Sequence, residues 1–284
     1  MIWRGLMFAA PASLLLLAIY IVPMLVLARF SVTHYQLGSL STHFVGLGNF
    51  VKAFQDPVFL RALANTAIYA LIVIPFGVFL ALGVALLVYN RKRSRAFWEV
   101  AYFLPVTATL VAMATVWQFL LHPSLGPVNA AIKWLGLEPV AFLSNPVLLI
   151  PTMALMGVWQ ILGFNMVLFL AGLTAISKDL HEAARLDGAK NPVDRFLTVT
   201  WPMLGPTTMF VVVTTSISAF KVFETVAVLT KGRFGSETLL FDLYLEGFEY
   251  SNTGYAAALT IIFLAIVLVL SIGQTLHMDR KVHY

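Results

Sequence analysis

Two groups of residues carry side chains that could do chemistry, and their surroundings differ sharply. Lys221 and Glu224 lie in an otherwise apolar run. Charges at membrane depth are costly and face a bundle interior or a water-filled cavity. A spacing of three sets both on one helix face, which leaves two readings open. They form an ion pair satisfied within the span, or they wall a substrate path in which Lys221 offers a cation to a hydroxyl, phosphate or sulfonate. The second group is EAARLDGAKNPVDRF, Glu182 to Phe196, with Glu182, Arg185, Asp187, Lys190, Asp194 and Arg195 in a chain only 11% charged. Such a stretch would suit a catalytic loop, a headgroup-binding patch or a docking site.

Other chemistry is hard to place. The histidines His34, His43, His122, His181, His277 and His283 are scattered, with no HExxH and no i, i+4 pair, so no metal site is expected. Neither a G-x-S-x-G elbow nor a G-x-x-x-x-G-K-[ST] phosphate loop occurs. The chain is therefore expected to hold no catalytic residue, no metal and no nucleotide of its own. It has no cysteine, which excludes disulfides and thiolate metal sites. Its net charge of +5 would suit nucleic acid, but in a membrane chain Lys and Arg gather on cytoplasmic loops, so no nucleic-acid partner is expected.

The elements that must position these residues are apolar helices. A composition 60% hydrophobic is that of an all-α integral membrane protein. About 20 apolar residues cross the hydrocarbon core. Six stretches qualify, over 6–28, 65–88, 100–121, 146–175, 205–229 and 256–276, within one transmembrane domain over 1–284. The first is read as an uncleaved span, because its apolar run is long for a signal peptide and Arg4 is the only cation before it. Pro75 and Pro151 fall inside spans, where neighbouring helices can satisfy the freed carbonyls. With a cytoplasmic N-terminus, eleven cations fall on inside segments and six outside, so both termini are placed in the cytoplasm. The run NRKRSR, Asn90 to Arg95, is the firmest anchor and would also meet anionic lipid headgroups. On the outer side, LGNFVKAFQDPVFLRAL has the apolar spacing of a short amphipathic helix at the membrane surface.

The charged stretch lies between the fourth and fifth spans, on the cytoplasmic side. Ser177 to Ala189 reads as a helix with Leu180, Ala183, Ala184 and Leu186 on its apolar side. Ser177 or Asp179 would cap its start, and Gly188 would end it in a left-handed turn. Glu182 and Arg185 could pair at i, i+3. A second segment starts at Pro192, and Trp201-Pro202 marks the return to the membrane. Small alanines permit close approach, so a groove on a protein partner fits this helix better than lipid, which would favour Trp, Phe and Lys. A solvated connector of this length would be unusual.

The stretch EAARLDGAKNPVDRFLTVTWPMLGP resembles the EAA loop of ABC importer permeases, with the pattern E-A-A-x-x-D-G-A…F-x-x-[IV]-x-x-P. FVGLGNFVKAFQDPVFLRALANTAIYAL (44–71), FLPV (103–106), LAGLTAIS (170–177), FKVFETVAVLTKG (220–232) and GYAAAL (254–259) resemble the carbohydrate subfamily in the same order. The likeness spans nearly the whole chain and points to the first-partner type of the maltose and glycerol-phosphate permeases. It implies a type I importer fold in a bacterial inner membrane. It also implies a second permease subunit, a dimeric cytoplasmic ATPase carrying ATP and Mg²⁺, and an extracytoplasmic solute-binding protein.

Carried onto this chain, the resemblance assigns Glu182, Ala183, Ala184, Asp187 and Gly188 to ATPase coupling through the 177–204 loop. It draws the substrate site from the flanking spans, at Gly157, Gln160, Phe164, Thr215, Ser218 and Lys221. The spacing from Ala189 to Phe196 is one residue longer than the pattern, and Trp201 replaces its usual Leu. Lys221 stands where the subfamily often has a neutral polar residue, which brings an anionic glycoside into consideration. The alternative, an ion-coupled secondary transporter, would call for more acidic residues in the spans than Glu224 and for an internal repeat.

Overall fold

The structure, a computed structural model, describes residues 10–39, 41–91 and 93–279. The expected start of the first span at 6–9 and the cations Arg4, Lys92, Arg280 and Lys281 lie outside them. Helices long and apolar enough to cross a membrane cover Ala10–Ser31, Pro57–Tyr89, Pro146–Ala175, Gly205–Leu229 and Thr253–His277, and a bent pair, Arg95–Thr107 with Leu110–Leu120, supplies the sixth. Pro75 and Pro151 sit inside continuous helices, as expected.

Three expectations about these elements are corrected. The third span is not one helix over 100–121, because its halves meet at 97°. Pro105 withholds an N–H from the first half, and Ala108 is extended, with φ −82° and ψ 144°. Thr109 then caps the second half, its hydroxyl accepting from the Ala112 N–H at 3.4 Å. The amphipathic stretch is likewise two helices. Gly48–Gln55 ends at Asp56, which is extended ahead of Pro57. The Asp56 carboxylate accepts from the Val58 N–H at 2.9 Å and so caps a second span that begins at Pro57 rather than Asn65. The fifth span, finally, is interrupted near Lys221, as described below.

The chain divides into two compact units. In the unit formed by residues up to Arg61 with Leu239–Ile266, a short antiparallel pair joins Thr33–His34 to His43–Phe44. There the Tyr255 hydroxyl donates to Asp56 at 2.9 Å, and the Lys52 ammonium lies 3.8 Å from the centre of the Tyr255 ring. The other unit, Ala62–Thr238 with the residues from Val267 on, holds both sites of interest. Its core joins Ala81 and Ala85 of the second span to Phe169 and Leu173 of the fourth, with Val199 and Leu204 of the following loop.

Two features fix the helix packing around this core. A Cβ at Gly163 would strike the Tyr102 carbonyl oxygen, so the third and fourth spans meet backbone to backbone. The fully buried Asn165 amide donates to the Gly77 carbonyl at 3.0 Å and to the Thr215 hydroxyl at 2.9 Å, tying the second, fourth and fifth spans together. The two halves of the third span pack on different elements. Arg95–Thr107 lies on the fourth span, and Leu110–Leu120 on Glu224–Leu229.

Candidate functional site

The fifth span stops being helical where its sequence turns chemical. Gly205–Phe220 ends with Lys221 at φ −86° and ψ 15°, Phe223 sits at φ −139° and ψ −59°, and a short helix resumes at Glu224. Thr, Ser, Ile, Val and Phe dominate the approach to this point, and these are weaker helix formers than Ala or Leu. The break frees the Val222 carbonyl, which accepts from the buried Thr238 hydroxyl at 2.9 Å. Thr238 belongs to an external turn that Asn65 of the second span fixes, donating to the Gly235 and Glu237 carbonyls at 2.7 and 2.8 Å. Irregular backbone at membrane depth is tolerated where protein or an aqueous cavity surrounds it.

That cavity is present, with a volume of about 400 Å³. Tyr69 and Val73 of the second span, Val106 and Leu110 at the bend of the third, Gln160 and Phe164 of the fourth, and Ser218, Lys221 and Glu224 at the break all line it. Lys221 and Glu224 are both exposed and form no ion pair with each other. The expectation that they share one helix face is corrected by the break between them. Lys221 lies at the C-terminal end of one helix and Glu224 in the first turn of the next, where each helix dipole favours the sign present.

Of the residues assigned to substrate from the sequence, Gly157, Gln160, Phe164, Ser218 and Lys221 reach the cavity. Gly157 does so as a spacer, since a Cβ there would collide with the Tyr69 hydroxyl. Thr215 does not reach it. Its buried hydroxyl faces Asn165 and serves helix packing. Tyr69 was missed, because an aromatic residue in an apolar run looks like core until the fourth span is placed beside it.

The loop helix runs over Lys178–Leu186. The Ser177 hydroxyl accepts from the Asp179 N–H at 3.2 Å, so Ser177 is the cap. At the other end Gly188 has φ +101°. The Gly188 N–H donates to the Arg185 carbonyl at 3.3 Å and the Ala189 N–H to Ala184 at 2.9 Å, the paired bonds of a Schellman stop. Glu182, Ala183, Asp187 and Gly188 are exposed, with no ion pair between Glu182 and Arg185. Ala184 turns the other way and packs, with Phe196, on the core of the second and fourth spans. Half-buried there, it ties the helix to the core. Leu186, expected on the same side as the alanines, is instead 89% exposed beside Asp187 and Gly188. The chain continues through Pro192–Arg195 and a wide turn over Phe196–Thr200 to Trp201–Met203, re-entering the membrane there.

Six apolar spans, a polar cavity at the break of one of them and a firmly capped helix on the cytoplasmic side define a membrane permease. Residues 53–283 match the family described as binding-protein-dependent transport system inner membrane component, and the chain belongs to that family. It is 32% identical over 274 residues to the probable ABC transporter permease protein YurN of Bacillus subtilis, covering 94% of this chain and 93% of that one. It is 31% identical over 252 residues to the sn-glycerol-3-phosphate transport system permease protein UgpA of Agrobacterium fabrum, covering 86% and 84%.

Among solved structures, a chain of a bacterial alginate ABC transporter, in complex with its alginate pentasaccharide-bound periplasmic protein, superposes with a TM-score of 0.85. Its identity is 25%, over 98% of this chain and 94% of that one. A second structure, of a transporter involved in importing the acidic polysaccharide alginate, shares the fold with a TM-score of 0.84 and 23% identity. The protein is a multi-pass inner-membrane permease subunit that works with a solute-binding protein.

Proposed function

We propose that the chain forms half of the translocation pore of an ATP-driven importer for a sugar, polyol, glycoside or glycerol-phosphate-like solute. A second permease subunit completes the pore. A dimeric cytoplasmic ATPase binds ATP and Mg²⁺, and the permease itself turns over no nucleotide. Within the single transmembrane domain, Gln160, Phe164, Ser218 and Lys221 face the solute. Glu182, Ala183, Asp187 and Gly188 meet the ATPase, and Ala184 positions their helix. The observation that carries this reading is the loop helix itself, capped at both ends, anchored by Ala184 on the core and exposed on its other side. Such a helix can transmit a push from the cytoplasm to the second and fourth spans, which also line the cavity.

Reconstitution in proteoliposomes with the second permease, the ATPase pair and the binding protein tests the proposal. Uptake should require ATP inside the vesicle and loaded binding protein outside. Uptake that survives ATP depletion and collapses with an uncoupler would replace it with the ion-coupled alternative.

A further inference from the structure

We propose that the segment from Pro127 to Leu137 is a bilayer anchor, seated in the lipid interface on the face opposite the loop helix. The segment joins the third span to the fourth, and the loop helix joins the fourth to the fifth, so the two lie on opposite faces. The inference rests on the membrane setting of the chain and is independent of what the importer carries.

This segment is apolar where water would favour charge. From Leu121 to Asn145 the sequence has one Lys, one Glu and no Asp or Arg. The helix Pro127–Trp134 and the turn after it leave Trp134 86%, Leu135 66% and Leu137 61% exposed. Large apolar groups gathered in one short stretch mark a surface that lipid or protein covers. Two observations favour lipid. Trp134 stands beside Lys133 in the last turn, an aromatic ring and a long cation of the kind that settles at a membrane interface. The loop helix, which exposes Glu182, Ala183 and Asp187, is the opposite case.

The second observation is the backbone. The Leu135 N–H donates to the Ala131 and Ile132 carbonyls at 3.2 and 3.1 Å. The Gly136 N–H donates to Lys133 at 3.0 Å and the Leu137 N–H to Ile132 at 3.2 Å. With Gly136 at φ +78°, these bonds form a Schellman stop. The turn that carries the apolar side chains thus satisfies these donors internally, as contact with lipid requires.

The anchor is also tied to the third span. The buried Asn129 amide donates to the Leu121 and His122 carbonyls, both at 3.4 Å, and to the Val140 carbonyl at 3.1 Å. Its oxygen accepts from the Val140 N–H at 2.7 Å. A Cβ at Gly126 would strike the Leu120 and His122 backbone, so the turn into the helix is closed as well. Lipid contact at Trp134 therefore holds the half-span Leu110–Leu120 at the bilayer surface.

The chain has no cysteine, so a single introduced one can carry a nitroxide label. Trp134→Cys and Leu137→Cys are labelled in the permease assembled with cysteine-free partner subunits, in nanodiscs of phosphatidylethanolamine and phosphatidylglycerol. Spin relaxation then reports collisions with oxygen, which concentrates in lipid, and with a nickel chelate, which stays in water. At both positions oxygen collisions should exceed those with the chelate, with and without loaded binding protein. At Ser39, exposed between the first and second spans on the same face, Ser39→Cys should show the reverse order. Adding L135D/L137D to the label at Trp134 should shift the ratio towards the chelate, because carboxylates resist lipid.

Size-exclusion chromatography confirms that each variant assembles. An excess of chelate collisions at Trp134 and Leu137 would place them in water. Shielding from both probes, at rest or only once the binding protein is added, would assign the surface to a protein partner. Either result overturns the proposal, as would a ratio that L135D/L137D leaves unmoved in a normally assembled complex.

Discussion

The loop helix and the cavity are built on opposite plans. Every device that makes Lys178–Leu186 a helix lies within the helix or next to it, from the Ser177 cap to the Gly188 stop. The cavity has no such local code. Its wall at Lys221 and Glu224 depends on Thr238 for the freed carbonyl, on Asn65 for the turn that carries Thr238, and on a third span bent by 97° elsewhere in the chain. The loop helix is held by short-range bonds, and the cavity is assembled from pieces far apart in the chain.

Several substitutions would break or sharpen this contrast. The largest effect is expected at Gly163, where a Leu side chain would have to occupy the space of the Tyr102 carbonyl. Gly163→Leu should abolish recovery of the assembled complex on size-exclusion chromatography. A normal yield would show that the third and fourth spans do not need their backbone contact.

Next comes Gly188. The space around it is open, so a side chain there meets only backbone strain at φ +101°, about 1–3 kcal/mol. Gly188→Val should insert normally yet lose about tenfold in binding-protein-stimulated ATPase activity. Gly188→Asn, which tolerates left-handed backbone, should stay within about twofold. Equal behaviour of the two variants would remove the Schellman stop from the coupling argument.

Smaller effects are expected where the cavity is supported rather than lined. Asn165→Ala removes the bonds that tie three spans together. It should cost about 1–3 kcal/mol, read as a lower thermal midpoint, with unchanged preference among solutes. A shifted solute profile would return Thr215 to the binding site. Thr238→Val leaves the Val222 carbonyl without its partner and should cost about 1 kcal/mol. Because that carbonyl orients the break, this variant should also weaken solute binding slightly, as Asn165→Ala should not.

Much of the loop was legible because its signals are short-range. The serine cap, the alternation of Ala and charge, and the terminal glycine all act within two turns of helix. Even there, Ala184 and Leu186 could not be told apart as inward and outward, since that depends on where Phe196 and the core lie. In the spans, Gln160, Phe164, Ser218 and Lys221, assigned together through the resemblance, line one cavity. Thr215 was misplaced, because a hydroxyl turned to Asn165 and one turned to a cavity look the same in a one-dimensional string.

By itself the sequence determined that the chain is built of long apolar helices with a short, locally capped helix between the fourth and fifth of the expected spans, since each follows from hydrophobic length or local capping. Tertiary structure alone decided that the third span bends, that the fifth breaks between Lys221 and Glu224, and that Tyr69 joins them at a cavity. Those outcomes depend on carbonyls and side chains satisfied by partners far along the chain. For a hydrogen bond such as that from Thr238 to Val222, no local pattern exists to be read.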